Sequence, residues 1–424
     1  MKKKPLYAGF SKININPKEP EGMTLYGMPR LYPGARGILD NLYARACYLE
    51  SGDKKFLMIV CDLVLTKHEF MSKMMDVLAD YESILDGISK STKIDKKNIW
   101  LCATHCHSSV GEGKGSPPYI SKVLNRYIDM LTKKLIQVGI DTVNNRQRVK
   151  IGYGRGEIEN VAGNRRAKLS DGTVVTAWAD GPTPPPGLRI VDRGLVDKNV
   201  GIIVFKSMKN KPLGAIVNYN SHIHSYPILY FTSEYAGAVS RLLDKKIPGI
   251  TTVYTNGAEG NTALCANLTP QPRDMNKWNS TFKSEMNRMS SIMVRKIAEI
   301  YKNMSFESLV KMDMGETTLK IPSTNPYLPK KKYATEKMAV VTINDLALVG
   351  EVEEAFVELA LGIKKGSPYK STFIIGMNGE RNFYFPTTHA IEEGGYEAYM
   401  WMKPGSFEKT IDQTVKLLKK MKKR

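Results

Sequence analysis

The sequence has few cysteines, few histidines and no long apolar run. Its 424 residues include 5 cysteines, an odd number without regular framework spacing, so we expect no disulfide scaffold. No apolar stretch approaches the ~20 residues that a membrane-spanning helix requires, which excludes an integral helical membrane protein. The cysteines are Cys47, Cys61, Cys102, Cys106 and Cys265.

A secretory signal is not evident either. Lys2, Lys3 and Lys4 make a basic start, but Pro5 follows, and no apolar stretch of roughly 7–15 residues comes after it. As given, the chain is therefore predicted to be cytoplasmic. If a signal segment was removed, the same sequence fits a secreted or periplasmic protein.

Acidic residues are in short supply. The chain has 42 aspartates and glutamates against 62 lysines and arginines, a formal net charge of +20. This excess favours an anionic or membrane-surface substrate, with at most peripheral membrane contact. The lysines are spread along the chain, and we find no zinc-finger spacing, RNP-like motif or basic leucine zipper, so we expect no nucleic-acid partner. The sequence indicates no oligomeric state.

Short strand-like runs alternate with helical patterns, which predicts an α/β (α+β) fold with central mixed sheet layers flanked by helices. Phe56–Val64 and Ile99–Thr104 are continuous apolar runs typical of strands covered on both faces. Apolar residues at three- and four-residue intervals predict an amphipathic helix over Pro118–Val138. Further helices are predicted over Ser233–Asp244, Lys277–Tyr301, Glu351–Ile363 and Phe407–Lys420, and further strands over Val200–Phe205, Gly214–Asn218, Thr251–Tyr254, Met338–Ile343 and Ser371–Ile375.

The histidines are scarce but clustered. Of the 6 in the chain, four form two His-x-His pairs, His105 with His107 and His222 with His224, and each pair follows an apolar strand. Residues i and i+2 of a strand point to the same face, so each pair can present two imidazoles to one site. Strand ends are where sheet enzymes place their sites. We therefore expect the pairs to bind one metal ion, and imidazole chemistry favours Zn2+, completed by a carboxylate or a further histidine.

Other interpretations of these residues stay open from the sequence. The histidines could be held by ordinary core hydrogen bonds. Cys106 could be a thiolate ligand or a nucleophile, although on a strand its side chain would point away from the histidines. Asp62, near the end of a buried strand, could orient a ligand histidine or could be a plain strand-end carboxylate.

Seven segments of the chain follow one another in a recognisable order. They are LYARACYLE (Leu42–Glu50), ATHCHSSVG (Ala103–Gly111), GNRRAKL (Gly163–Leu169), the His222 segment followed by SEYAGAVSRLL, NGAEGNTA (Asn256–Ala263), VGEVEEAF (Val349–Phe356) and NFYFPT with AIEEGGYEAY (within Asn382–Tyr399). Together they resemble the catalytic domain of the neutral/alkaline (non-lysosomal) ceramidases. The resemblance implies one large catalytic domain over residues 1–424, without the family's C-terminal immunoglobulin-like domain.

The resemblance also implies a zinc site and its surroundings. His107 corresponds to the histidine that lies beside the scissile amide in that family, and Arg165 to an arginine that lines the substrate site. The implied zinc ligands are His105, His222, Glu351 and Tyr384, with His224 able to exchange roles with His222.

The chain departs from the family at two positions. The family's proposed serine falls opposite Glu259 or Gly260, and neither carries a hydroxyl group. Thr262 could replace it, but a water activated by the metal is the simpler nucleophile. Arg166 stands where the family has a serine and adds positive charge near the pocket. The residues expected next to the ligands or the substrate are His224, Asp62, Arg166, Asn261 and Thr262.

These observations predict a zinc-dependent hydrolase that cleaves an N-acyl or related linear amide, in a small molecule or a lipid, through metal-activated water. His107 would share a proton or stabilise the oxyanion, and Arg165 would hold an anionic or carbonyl oxygen. The second hypothesis is a metal-dependent esterase or lactonase acting on a small polar or anionic substrate. The third is a non-catalytic lipid- or carbohydrate-binding protein with a structural zinc.

Overall fold

The structure, a computed structural model, describes residues 2–25, 34–64, 67–68, 80–111, 118–176, 184–223, 229–264, 275–322, 333–381, 384–398 and 403–424. Its strands are β1 (Lys4–Asn14), β2 (Tyr43–Ser51), β3 (Lys54–Cys61), β4 (Lys67–His68), β5 (Ile99–Ala103), β6 (Gln147–Glu157), β7 (Ala162–Asn164), β8 (Arg166–Leu169), β9 (Val174–Thr176), β10 (Ile190–Asp192), β11 (Asn199–Ser207), β12 (Pro212–Tyr219), β13 (Thr251–Asn256), β14 (Thr262–Leu264), β15 (Leu309–Val310), β16 (Met312–Pro322), β17 (Tyr333–Ile343), β18 (Leu346–Gly350), β19 (Glu354–Ala355), β20 (Ser371–Ile375), β21 (Glu380–Arg381) and β22 (Tyr384–Phe385).

The helices lie between and after these strands. They are α1 (Tyr81–Thr92), α2 (Pro118–Asn144), α3 (Glu234–Lys246), α4 (Met275–Lys302), α5 (Val357–Gly366), α6 (Thr388–Glu393) and α7 (Ser406–Lys422), with short 3-10 turns at Lys96–Asn98 and Tyr396–Ala398. Within the described ranges, no helix combines the length and the apolar character needed to cross a bilayer.

The largest sheet has nine strands. Eight follow the order β13-β12-β11-β6-β1-β2-β3-β5, and β15 pairs with β1. The inner pairs are antiparallel, whereas the pairs at the two ends, β12 with β13 and β3 with β5, are parallel. Parallel neighbours bring their carboxyl ends to the same edge of a sheet, where ligand sites commonly form. In each of these two outer pairs, the two neighbouring strands therefore end at the same edge of the sheet.

A second sheet of four strands, in the order β16-β17-β18-β20, packs against the first. Side chains of both sheets share one buried cluster, with Phe205 and Ile216 from the first sheet and Val341 and Phe373 from the second. Helices α1 to α4 cover the other face of the large sheet, and α5 and α7 cover the other face of the small one. The molecule is thus built in four layers: helices, sheet, sheet, helices.

Strand β3 shows why the sequence builds these layers. All of Phe56–Cys61 is buried. Leu57 and Ile59 belong to the cluster under α1 and α2, whereas Met58 and Val60 belong to the cluster between the sheets. Successive side chains on a strand point to opposite faces, so a continuous apolar run fits a strand that is covered on both sides.

The predicted α/β (α+β) class, with central mixed sheets flanked by helices, is confirmed. The helix predicted over Pro118–Val138 is the first part of α2, and the two long apolar runs become β3 and β5. One helix start was wrong. The segment from Glu351 begins α5 only at Val357, because Glu354–Ala355 form β19 and pair with β22.

We expect the core beneath α1 and α2 to be sensitive to side-chain loss. Ile59 is fully buried there, and an Ile59→Ala change should lower the free energy of unfolding by about 2–5 kcal/mol because it removes apolar contacts and leaves a cavity. Val191 is 53% exposed, so Val191→Ala should change the free energy of unfolding by less than about 0.5 kcal/mol. Urea unfolding of both variants tests this; equal effects would contradict the packing described.

Candidate metal centre

Loops at opposite ends of the large sheet carry the clustered imidazoles. His105 and His107 follow β5, and His222 follows β12. The backbone N–H of His107 donates to the carbonyl oxygen of Ile223 at 3.3 Å, which joins the two loops directly. Strand twist accumulates across a wide sheet, and here the coiling brings its two ends together.

The three imidazoles form one cluster. The ring centroid of His105 lies 4.8 Å from that of His107 and 4.6 Å from that of His222. One ring nitrogen of each residue lies within 4.8 Å of the others, a spacing at which the three can hold a metal ion. The predicted convergence of the two histidine stretches is therefore observed for these three residues, while His224 lies outside the described residues.

His105 reaches the cluster through an unusual backbone conformation. Its φ is +58°, in the left-handed region, which costs a non-glycine residue roughly 1–2 kcal/mol. Strand β5 has already ended at Ala103. The expectation that His105 and His107 share one strand face is therefore wrong. The turn at His105, rather than the period of a strand, aims both rings at His222.

Backbone carbonyl oxygens orient the two most buried rings. His105 Nδ1 lies 3.1 Å from the carbonyl oxygen of Val64, and His222 Nδ1 lies 3.0 Å from that of Glu259. A carbonyl oxygen can only accept, so each Nδ1 carries the proton and donates it. The Nε2 atoms, at the opposite side of each ring, are then directed towards the centre of the cluster.

Glu354 is the carboxylate that faces these nitrogens. Its Oε1 lies 3.5 Å from His105 Nε2, and its Oε2 lies 3.2 Å from His222 Nε2. The side chain is 2% exposed. Glycine at position 260 allows the backbone of Glu354 to approach closely. A Cβ at this position would come within 2.2 Å of the Glu354 carbonyl oxygen.

Glu351 is the carboxylate that the resemblance implied as a ligand. Its Oε2 accepts a hydrogen bond from the backbone N–H of Glu353 at 2.9 Å. Burial, and then the charge of Glu351, raises the pKa of the Cys102 thiol. Glu354 is thus a carboxylate at the cluster that the sequence did not single out, and the role of Glu351 as a ligand stays a prediction. The VGEVEEAF segment offers three glutamates in four residues, and the pairing of β19 with β22 holds Glu354 next to Tyr384.

Tyr384 lies beside Glu354. The two residues are directly paired in the parallel β19–β22 ladder. The Tyr384 ring is half-buried, with its centroid 6.4 Å from that of His222 and the ring planes 30° apart. Tyr384 is therefore adjacent to the cluster, and its role as a ligand stays a prediction.

The two arginines are engaged by one buried carboxylate. Arg165 Nε lies 2.8 Å from Glu397 Oε1, and Arg166 Nη1 lies 3.3 Å from Glu397 Oε2. Burial alone would lower the pKa of Arg165, but Tyr384 and Glu397 outweigh it and raise the pKa. Arg166 also contacts Glu393, at 3.5 Å. Much of the positive charge expected near the pocket is thus balanced within the protein.

Two solved structures share this architecture. One is the neutral ceramidase from Pseudomonas aeruginosa, with a TM-score of 0.72, 15% identity and coverage of 98% of this chain and 75% of that one. The fold is that of neutral ceramidase. The other is a ceramidase complexed with C2, with a TM-score of 0.71, 15% identity and coverage of 98% and 76%. No protein-family model matches the chain, and no curated protein is significantly similar to it in sequence.

On this ceramidase fold, the contacts of Asp62 favour the second of its two interpretations, a plain strand-end carboxylate. Its Oδ2 accepts hydrogen bonds from the backbone N–H of Tyr43 at 2.8 Å and from Arg45 Nη1 at 3.3 Å. The Nδ1 atoms of His105 and His222 have backbone carbonyl partners instead. Asp62 is a strand-end carboxylate in a buried ion pair.

Asn261 has a structural role at the start of α5. Its Oδ1 accepts from the backbone N–H of Val357 at 2.8 Å, and its Nδ2 donates to Glu358 Oε2 at 2.9 Å. It therefore satisfies one of the N–H groups that a helix leaves without an internal partner. The expectation that Asn261 contacts the substrate has no support in these bonds.

Thr262 lies behind His222 rather than in front of it. Its carbonyl oxygen accepts from the backbone N–H of His222 at 3.2 Å. Its hydroxyl group is fully buried and donates to the carbonyl oxygen of Asn220 at 3.3 Å. These contacts position the His222 loop and do not support a role for Thr262 as a substitute nucleophile.

Cys106 is a packing residue. It is fully buried in the cluster with α3 and α4, and its Sγ donates to the carbonyl oxygen of Thr232 at 2.9 Å. Burial, and then the charge of Glu234, raises the pKa of its thiol. A raised pKa and full burial are typical of a structural thiol and do not favour an activated nucleophile.

We expect the buried Asp62 carboxyl to make stability depend on pH. Burial raises its pKa from 3.8 to about 6, although Arg45 opposes the shift. The folded state therefore binds this proton more tightly than the unfolded state, so its stabilising contribution is present at low pH and is lost as the pH rises from about 4 to 6. Across that window, the free energy of unfolding of the wild type should fall relative to Asp62→Asn by up to about 1.4 kcal/mol per pH unit.

Urea unfolding of the wild type and Asp62→Asn at a series of pH values measures this difference directly. Other titrating groups are common to both proteins and cancel in the comparison. Parallel stability curves would show that Asp62 titrates at its ordinary pKa.

Proposed function

We propose that this protein is a metal-dependent hydrolase that cleaves an amide bond, and that the metal is zinc. The observation that carries the proposal is the arrangement of His105, His222 and Glu354. The Nδ1–H groups of both rings are directed to backbone carbonyls, so both Nε2 lone pairs face the carboxylate at 3.5 and 3.2 Å.

A cation would be stabilised at this point. Two imidazole nitrogens and a carboxylate that face one another in a buried site attract a proton or a metal ion. The donor set fits zinc, which prefers imidazole nitrogen and accepts carboxylate oxygen. His107 and Tyr384 lie beside the cluster and can supply further donor atoms. Both residues are half-buried, so the site is partly open to solvent on their side.

The chemistry of the proposed reaction is divided between the ion and the side chains. When bound, zinc would supply Lewis-acid chemistry, by which it polarises a carbonyl group and lowers the pKa of a water molecule. His107 Nε2 lies 3.1 Å from His105 Nε2, and its imidazole can accept a proton from the attacking water and return it to the leaving amine. Tyr384 and the Arg165 guanidinium, 5.3 Å from its ring centroid, would orient the acyl oxygen.

The charge balance around the arginines favours a neutral acyl group over an anionic one. Glu397 lies against both guanidinium groups, so a substrate carboxylate would have to compete with a buried carboxylate that is already in place. Both solved structures described above are ceramidases by name. We therefore propose a lipid or other N-acyl amide as the substrate class. An esterase or lactonase would use the same site, and a non-catalytic protein would use it to hold a structural zinc.

Metal analysis is the first test. The protein purified without chelators should contain about one zinc per chain, and chelation should abolish amide hydrolysis until zinc is returned. Glu354→Gln should lose the metal because it removes the carboxylate that faces both Nε2 atoms. Glu351→Gln is the matched control and should retain it.

The opposite pattern would overturn the assignment. A protein without stoichiometric metal, or His105→Ala and His222→Ala variants with unchanged metal and activity, would leave no zinc site here. If Glu351→Gln loses the metal and Glu354→Gln keeps it, the carboxylate predicted from the sequence is the ligand after all.

A panel of substrates tests the reaction. We expect kcat/KM for neutral N-acyl amides to exceed that for analogues with an added carboxylate by at least about tenfold, which corresponds to ~1.4 kcal/mol. Matched esters and lactones serve as the comparison. Hydrolysis confined to esters or lactones would favour the second hypothesis, and a zinc protein inactive on the whole panel would favour the third.

A further inference from the structure

One buried residue touches both imidazoles without being a candidate ligand. Glu259 lies in the short loop between β13 and β14, and its side chain is fully buried. Its backbone carbonyl oxygen lies next to the ring of His222, and its side-chain carboxylate lies near the ring of His105.

The backbone contact fixes the ring of His222. The carbonyl oxygen of Glu259 accepts from His222 Nδ1 at 3.0 Å. The same oxygen accepts from the backbone N–H of Thr262 at 3.0 Å, so the turn from Glu259 to Thr262 sets the direction of the carbonyl group. His222 can therefore present Nε2 to the cluster in one ring orientation.

The side-chain contact acts on the ring of His105. Glu259 Oε1 lies 3.9 Å from His105 Nδ1, too far for a hydrogen bond but close enough for a strong charge interaction in a buried site. The other carboxylate oxygen accepts from Asn256 Nδ2, which also donates to the carbonyl oxygen of Thr104, the residue before His105. Asn256 thus fixes the position of the Glu259 carboxylate relative to the backbone that leads into His105.

We infer that Glu259 is a positioning residue that keeps both imidazoles protonated at Nδ1, so that both Nε2 atoms are available to one metal ion. A negative charge behind Nδ1 stabilises the Nδ1–H tautomer of His105 and makes its Nε2 a better donor to a cation. One residue thereby couples two ligands that come from opposite ends of the sheet. This inference rests on the proposed metal site.

The test is the zinc affinity of Glu259→Gln, measured by competition with a chelator. The change retains the backbone carbonyl and the size of the side chain but removes the charge, and we expect an affinity roughly 10–100-fold lower than that of the wild type. The visible absorption spectrum of the cobalt-substituted protein should change as well, because the geometry of the His105 ligand is less constrained.

The matched control is Glu336→Gln. Glu336 is another buried carboxylate, on β17, and burial together with Glu353 and Glu351 raises its pKa. Its replacement changes a buried carboxyl group on another strand and leaves Glu259 and Asn256 in place. The zinc affinity and the cobalt spectrum should therefore stay at the wild-type values.

A second variant keeps the inference testable if Glu259→Gln does not fold. Asn256→Ala leaves the charge of Glu259 in place but releases its anchor, so the zinc affinity should fall by a smaller factor. Wild-type affinity in the folded variant tested, Glu259→Gln or Asn256→Ala, would overturn the inference. A wild-type protein that binds no zinc would overturn the proposed function instead.

Discussion

The orientation of two imidazole rings is the constraint on which the candidate site depends. His105 and His222 each direct Nδ1 to a backbone carbonyl oxygen, at 3.1 and 3.0 Å. Because a carbonyl oxygen can only accept a hydrogen bond, Nδ1 carries a proton in both rings. Both Nε2 atoms are then electron-pair donors that face the Glu354 carboxylate. A metal ion placed between them would be held by both rings and the carboxylate. The proposed chemistry depends on such an ion.

The scaffold supplies this orientation from elements that are far apart in the chain. His105 follows β5 at one end of the large sheet, and His222 and Glu259 follow β12 and β13 at the other. Glu354 comes from the second sheet, beside Tyr384. The site is therefore assembled where the coiled large sheet meets the small one, and each contributor is held by backbone hydrogen bonds. A rigid setting of this kind keeps ligand atoms in place before a substrate binds.

The buried charges near the site are balanced within the protein. Glu397 binds Arg165 and Arg166 together, and Asp62 pairs with Arg45. The guanidinium groups of Arg45, Arg165 and Arg166 are thus paired with carboxylates. The net charge of +20 describes the whole chain and does not by itself indicate the charge that a substrate would meet at this site.

The sequence by itself determined the layered fold class and the convergence of His105, His107 and His222. Apolar periodicity and paired histidines are local signals, and local signals predict strands and ligand types. Only the tertiary structure placed Glu354 opposite both imidazoles, bound Arg166 to Glu397 and placed Glu259 behind both rings. Those outcomes depend on the pairing of β19 with β22, on the left-handed turn at His105 and on contacts between distant loops, and no spacing along the chain encodes them.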